Sequence, residues 1–110
     1  MITRFQRCLG IRLFRLWRWQ AELWICPRGE VIPPHTHRYF HGRLVFVAGR
    51  MEWTLEGRTR EVGWRDVLRS WPVPAGSNHG AVVTGSFGIF LNFERWKVRP
   101  TSAATDFEPA

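Results

Sequence analysis

Apolar and polar residues alternate along most of the chain in short runs, and glycine or proline separates one run from the next. Alternation with a period of two is typical of a half-buried β-strand. Residues 11–17 also fit a short basic amphipathic helix, but from about residue 16 to residue 25 the alternation favours a strand. Further strands are predicted at residues 30–37, 43–48, 51–55, 58–62, 66–71, 79–84 and 88–96.

The turn residues between these runs predict how the strands are connected. Glu56 and Gly57 fit a hairpin turn between two of the strands. Pro33 and Pro34 cannot donate backbone hydrogen bonds to a sheet, so they indicate an edge strand or a bulged strand. Seven to nine short strands with almost no helix predict an all-β sandwich or barrel over residues 11–98. Residues 1–10 are predicted to form a basic arm, and residues 99–110 a flexible tail.

Alternation also predicts which side chains face the interior, although it leaves the last strand open. His79, Ala81 and Val83 share one face of their strand. The last strand turns one of two sets inward, either Ile89, Leu91 and Phe93 or Phe90, Asn92 and Glu94. The first set would line an apolar cavity, whereas the second would offer it polar contacts.

Composition narrows the class of protein. Hydrophobic residues make up 45% of the 110 residues, which is enough for one packed core. The net charge is +7, and Lys97 is the only lysine among 16 cationic residues. This arginine excess indicates an anionic partner, or else the codon usage of a GC-rich genome. No apolar run is long enough for a bilayer, and Cys8 and Cys26 belong to no paired motif, so we expect a cytoplasmic protein with reduced thiols.

The four histidines are the most informative residues of the sequence. His35 and His37 lie two residues apart on a predicted strand, so their imidazoles point to the same side. His41 follows four residues later, and His79 lies beside a turn about forty residues downstream. A divalent transition metal binds several imidazole nitrogens at once, and the strands of a rigid barrel can hold them in place. We therefore predict a metal site.

Two segments around these histidines resemble the motifs of the cupin superfamily. Residues 29–37, GEVIPPHTH, match the first motif, in which five residues separate a glycine from HxH. Residues 74–79, PAGSNH, match the core of the second motif, PxGxxH. The resemblance extends over about residues 26–93 and implies a single cupin-type β-barrel, also described as a double-stranded β-helix or jelly roll.

The chain departs from the family pattern at one ligand. Cupins usually carry a glutamate three or four residues after HxH, where this chain has His41 or Gly42. Some cupins use histidine there, so the resemblance implies a ligand set of His35, His37, His41 and His79. Four neutral ligands would leave the full charge of an iron, manganese, nickel, zinc or copper ion uncompensated, which favours an anionic, oxygen-rich substrate.

The resemblance implies a metal-dependent enzyme of the oxygenase, isomerase or lyase class. No second catalytic group stands out in the sequence. The candidate bases or polar contacts are Glu52, Asp66, Asn92 and Glu94, and the candidate anion-binding residues are Arg38, Arg43 and Arg50.

Two other functions remain open at this point. One is a non-catalytic binding or structural module with a structural metal. The other is nucleic-acid binding through the arginine-rich surface, with Trp17, Trp19 and Trp24 stacking on bases. Small cupins are often dimers, and the apolar strand near residues 16–25 could pair with its copy across a two-fold axis. We therefore expect a homodimer.

Overall fold

The computed structural model describes all 110 residues and is built almost entirely of β-strands, which confirms the all-β prediction. The only helical segment is one 3₁₀ turn, Trp64–Asp66. No helical segment is long and apolar enough to cross a membrane. The nine strands are β1 (Ile2–Phe5), β2 (Cys8–Leu16), β3 (Trp19–Pro27), β4 (Val31–Thr36), β5 (Phe40–Leu55), β6 (Arg58–Val62), β7 (Ser70–Val73), β8 (His79–Trp96) and β9 (Glu108–Pro109).

The two longest strands, β5 and β8, pair along nearly their whole length and belong to both halves of the barrel. The second half of β8 also pairs with β3, which pairs with β2, and the first half of β5 pairs with β7. The first half of β8 pairs with β4, and the second half of β5 pairs with β6. Each long strand was predicted as two short ones, because glycines interrupt the apolar pattern where the strand bends from one half to the other.

Gly49 marks the bend in β5. Its φ is +89°, and a Cβ atom built on it would lie 2.1 Å from the carbonyl oxygen of Phe87. Only glycine tolerates both conditions. The β5–β8 register shifts on either side of this residue, as expected where a strand turns a corner by means of a bulge. Glu56 and Gly57 also have positive φ angles, which is consistent with the predicted hairpin turn between β5 and β6.

The interior face of β8 is now defined. Phe90, Asn92, Glu94 and Trp96 are buried, whereas Phe93 and Arg95 are exposed. The polar alternative therefore holds, and two polar side chains of this strand lie inside the barrel. The core around them contains large rings and aliphatic side chains from both halves, including Trp24, Phe40, Phe46, Met51, Trp53 and Val83.

The N-terminal residues are part of the sheet rather than a separate arm. β1 and β2 form a hairpin, and residues 11–16, for which a helix was one alternative, continue β2. β3 pairs with β2 on one side and with β8 on the other. Both edges of β3 are therefore occupied, so the homodimer expected from pairing of residues 16–25 cannot form in that way.

The C-terminal residues also fold onto the barrel instead of forming a flexible tail. Ser102 and Ala103 are buried, and the Ser102 hydroxyl and the Ala103 amide each donate a hydrogen bond of 2.8 Å to the carboxylate of Glu22. Farther along, β9 pairs with β4. These contacts join residues about eighty positions apart, so no local pattern in residues 99–110 could predict them.

The two cysteines lie close together in the core, although they belong to no paired motif. Cys8 and Cys26 are both fully buried and both free. The Cys8 thiol lies 3.6 Å from the Glu30 carboxylate. The neighbouring Cys26 thiol, burial and the charge of Glu30 together raise the pKa of Cys8 far above its usual value, so the thiol stays protonated.

Candidate metal centre

Three of the four histidines meet at one point inside the barrel. His35 lies near the end of β4, His37 follows directly after that strand, and His79 opens β8. His35 and His79 are direct partners in the β4–β8 ladder. One nitrogen of each ring lies within 4.8 Å of a nitrogen of the others, and all three residues are buried.

The β4–β8 register shifts between Ile32 and His35, across Pro33 and Pro34. This is the bulge that the two prolines predicted. Because a bulge turns the following residues, it helps to direct His35 toward the barrel interior.

Aromatic rings fix the orientation of two of the imidazoles. Phe107 stacks on His35 with a centroid distance of 4.2 Å and an interplanar angle of 19°. Phe40 stacks on His37 with a centroid distance of 4.4 Å. A ring packed on one face of each of these imidazoles limits its freedom to turn away, so the cluster is preorganised.

Backbone carbonyls determine the tautomer of all three imidazoles. The Nδ1 atom of His35 lies 2.8 Å from the Pro33 carbonyl oxygen, and that of His79 lies 3.0 Å from the Ser77 carbonyl oxygen. The Nδ1 atom of His37 contacts the Asp106 carbonyl oxygen. A carbonyl can only accept, so each Nδ1 carries the proton and donates it. The lone pair of each Nε2 is then free, which is the usual arrangement of metal-ligating histidines.

The three imidazoles are neutral at physiological pH. Burial, with a smaller effect of the neighbouring His79, lowers the pKa of His35 to about 3. Burial lowers the pKa of His37 to about 4 and also lowers the pKa of His79. A cluster of unprotonated imidazoles is the form that a metal ion requires.

His41 does not join this cluster. It lies in β5 between the buried residues Phe40 and Gly42, and alternation places its side chain on the opposite face. Its Nδ1 accepts a hydrogen bond of 3.0 Å from the Ala75 amide. The predicted fourth histidine ligand is therefore a residue that braces the turn before β8, and the position next to it on the inner face is Gly42.

A cavity of about 60 Å³ opens beside the three histidines. Eleven of its sixteen lining residues are hydrophobic, with Cys8 counted among them, and Asn92 is its only polar side chain besides the histidines. No arginine and no carboxylate lines it. Phe5 and Phe107, which contact each other, come from the two chain termini, so both ends of the chain contribute to the wall.

The other candidate residues lie at different distances from this cavity. Asn92 lines it, whereas Glu94 is fully buried away from it, and Glu52 alternates with buried residues and lies on the outer face of β5. Asp66 accepts a hydrogen bond from the Gly63 amide and pairs with Arg69. The proposed anion-binding residues Arg38, Arg43 and Arg50 are all exposed and are not part of the cavity wall.

The three tryptophans predicted to stack on bases differ in their exposure to solvent. Trp24 is 5% exposed and belongs to the core, whereas Trp17 and Trp19 are 76% and 51% exposed on the hairpin between β2 and β3. Only the latter two could contact a partner.

A second buried polar cluster was missed in the sequence. Glu94 Oε1 accepts hydrogen bonds of 2.8 Å from both Gln20 and Trp96. Burial and the neighbouring Glu22 raise the pKa of Glu94 well above its usual value, whereas the hydrogen bonds from Gln20 and Trp96 act in the opposite direction. The sequence contained one signal of this cluster. Gln20 and Glu22 lie at alternate positions of β3 with Trp24 and Cys26, so all four side chains face the same side.

Comparison with solved structures identifies the fold. The KdgF protein of a Halomonas species superimposes with a TM-score of 0.78 at 19% identity, over 96% of this chain and 90% of that one. An RmlC-like cupin from Shewanella frigidimarina gives a TM-score of 0.73 at 20% identity, over 86% and 82% of the two chains. The chain has the cupin fold.

A further similar structure is the polyketide cyclase RemF from Streptomyces resistomycificus. It matches this chain with a TM-score of 0.72 at 21% identity, over 96% of this chain and 72% of that one. The sequence itself matches no protein-family model and no curated protein. At these identities the similarity establishes the fold of this chain and not its activity.

Proposed function

We propose that this cupin binds a divalent transition metal through His35, His37 and His79 and presents it to a small molecule in the adjoining cavity. The observation that carries the proposal is the shared tautomer of the three rings. Each Nδ1 proton is donated to a backbone carbonyl, so three Nε2 lone pairs converge on one point. Without a cation, the Nε2 atoms of His35 and His37 would face each other at 3.2 Å with no proton between them.

The charge balance indicates which part of a ligand would approach the metal. Three neutral imidazoles leave the +2 charge of the ion uncompensated, and no carboxylate lines the cavity. Such a centre favours an anionic or enolisable oxygen. The rest of the wall is apolar, so the ligand we propose has an oxygen-bearing head and a compact apolar body. This narrows the oxygen-rich substrate expected from the sequence.

The reaction class follows from what the cavity wall contains. A bound metal would act as a Lewis acid and polarise the oxygen of the ligand. Isomerase and lyase reactions also need a group that moves a proton, and the candidate carboxylates lie outside the wall. A metal-dependent oxygenase, with dioxygen as the second substrate, depends least on such a group, and we place this class first.

A second candidate is a cyclase. It is supported by the similarity to RemF, which is named a polyketide cyclase and covers 96% of this chain. The apolar wall suits a compact ring system, and the metal would again polarise a carbonyl oxygen. The two candidates differ in their need for dioxygen, so product formation under anaerobic conditions separates them.

Elemental analysis tests the shared part of the proposal. The protein is purified without a histidine tag, alongside His35→Ala and His79→Ala, and His41→Ala is the matched control. We expect about one equivalent of a transition metal in the parent and in His41→Ala, and its loss in the other two variants. A parent that holds no metal even after reconstitution contradicts the proposal. A metal that stabilises the fold but accepts no added ligand would indicate the structural module instead.

A further inference from the structure

The inner face of β5 lacks a side chain at one position, close to Phe40, the residue that stacks on His37. Phe40, Gly42 and Leu44 occupy successive inward positions on this strand, and Gly42 contributes no side chain. Its φ lies outside the left-handed region, so its backbone conformation would accept other residues. The backbone does not require glycine at position 42, so the reason for glycine there is the space around it.

Asn92 fills the space that a side chain at position 42 would need. A Cβ atom built on Gly42 would lie 2.9 Å from Asn92 Oδ1. Asn92 reaches this point from β8, where it lies opposite Leu44 in the β5–β8 ladder. It also lines the same cavity as the three histidines. The carboxamide of Asn92 thus lies at the inner face of β5, where a side chain at position 42 would otherwise lie.

The carbonyl oxygen of this carboxamide has no partner. Asn92 is 5% exposed, and its Oδ1 accepts no hydrogen bond. The residues opposite it in the sheet offer no donor, because Leu44 is apolar and the Glu22 carboxylate is itself an acceptor, of bonds from Ser102 and Ala103. A buried acceptor without a partner is costly, so such a group in a functional cavity indicates a ligand.

We propose that Asn92 is the fourth protein ligand of the metal, binding through Oδ1. This inference rests on the proposed metal site of His35, His37 and His79. A neutral carbonyl oxygen is a good donor to manganese or ferrous iron and a weaker one to copper. It adds no charge, so the centre keeps its affinity for anionic oxygen while gaining one oxygen donor. The predicted His41 ligand is thereby replaced by a residue from a different strand.

Titration of the metal-free protein with Co²⁺ tests the assignment, because the visible d–d bands report the ligand set without any activity assay. We expect Asn92→Ala to bind Co²⁺ about 10- to 100-fold more weakly, with altered bands. Asn92→Asp, which places a charged oxygen donor at the same point, should bind Co²⁺ more tightly than the parent and with shifted bands. Phe93→Ala is the matched control, since it removes an exposed side chain at the next position of β8, outside the cavity wall, and its affinity should change little.

A second test moves the oxygen donor from position 92 to position 42. If Asn92 had only a structural role, this exchange would not restore the affinity for Co²⁺. Gly42→Glu alone crowds Asn92 and should bind Co²⁺ poorly. The double variant Gly42→Glu with Asn92→Ala has room for the new side chain, and we expect it to recover the affinity lost in Asn92→Ala. Recovery in the double variant supports a ligand role, because the oxygen then comes from β5 instead of β8.

The outcomes separate this inference from the metal site itself. If Asn92→Ala keeps the parent's affinity and spectrum while His35→Ala loses Co²⁺, the fourth ligand is overturned and the metal site stands. If the parent binds no Co²⁺, both fail. Should Asn92→Ala not fold, Asn92→Asp decides, and an unchanged affinity and spectrum in that variant overturns the inference.

Discussion

The Nε2 atoms of His35 and His37 lie 3.2 Å apart, and neither has a proton to offer the other. Both rings donate their Nδ1 proton to a backbone carbonyl, of Pro33 and of Asp106 respectively. Two acceptors at hydrogen-bonding distance repel each other in the absence of a cation. The fold therefore holds these two side chains in an arrangement that a metal ion would stabilise.

Metal binding should consequently raise the thermal stability of the protein. A ligand that binds only the folded state at 100 times its Kd adds about 2.7 kcal/mol to the free energy of unfolding. We expect Zn²⁺ or Co²⁺ to raise the Tm of the parent and EDTA to reverse the increase. Differential scanning calorimetry with and without metal measures both effects.

The same experiment has a matched pair of variants. His37→Ala should abolish the metal-dependent shift in Tm, whereas His41→Ala should retain it, because His41 lies outside the cluster. A shift that disappears in His41→Ala as well would restore the four-histidine site that the sequence predicted.

The position of His41 outside the cluster shows why the geometry of the site could be predicted only in part. The two histidines of HxH and the histidine that ends PxGxxH come together as alternation and the turn predicted. His37, however, lies beyond the end of β4, and a short loop leads from it to β5. The period of two cannot be counted across a loop, and a shift of one residue moves a side chain to the other face. His41 therefore faces away, while Gly42 faces inward.

The buried thiols give a second prediction. Cys8 and Cys26 are fully buried, and the pKa of Cys8 is raised far above its usual value by Cys26, burial and Glu30. Thiolates, not thiols, react with disulfide reagents. We expect no reaction with Ellman's reagent in the native protein at pH 8 and two equivalents in guanidinium chloride. Fast labelling of the native protein would mean that this part of the barrel opens readily.

The C-terminal residues and the buried acids were the least predictable parts of the chain. Residues 99–110 have no periodicity and two prolines, which are features of a flexible segment. Their order depends on Glu22, a carboxylate that lies in the barrel interior and accepts two hydrogen bonds from this segment. A polar residue on an inward face of a strand was the available signal. Its partner could not be identified without the three-dimensional structure.

Glu94 should make stability fall as pH rises. Burial and Glu22 raise its pKa well above the usual value of 4.5. Above pH 4.5 the unfolded chain releases this proton while the folded chain retains it, so stability is lost until the folded pKa is passed. Glu94→Gln cannot titrate, and its stability relative to the parent should increase between pH 5 and pH 8.

Urea denaturation of the metal-free proteins at pH 5, 6.5 and 8 measures this difference. Glu61→Gln, a change at an exposed residue of β6, is the control. Its free energy of unfolding should differ from that of the parent by the same amount at all three pH values. If the difference between Glu94→Gln and the parent is also independent of pH, Glu94 is ionised in the folded protein.

Asp106 connects the stability of the C-terminal segment to the metal centre. Its carboxylate accepts hydrogen bonds from the amides of Arg38 and Tyr39, at 3.1 and 2.8 Å, and its backbone carbonyl accepts the Nδ1 proton of His37. Asp106→Ala removes two charge-assisted bonds, and we expect it to lower the free energy of unfolding by about 1–3 kcal/mol. Because His37 loses a fixed partner, the affinity for Co²⁺ should fall about tenfold as well.

A variant of a second aspartate, Asp66, distinguishes the loss of stability from the loss of Co²⁺ affinity. Asp66 also accepts a backbone hydrogen bond, from Gly63 at 3.0 Å, but it lies on the 3₁₀ turn and not in the wall of the cavity. Asp66→Ala should therefore lower the stability without changing the affinity for Co²⁺. If Asp106→Ala behaves in the same way, the C-terminal segment only covers the barrel, and the carbonyl of Asp106 does not position His37 for the metal.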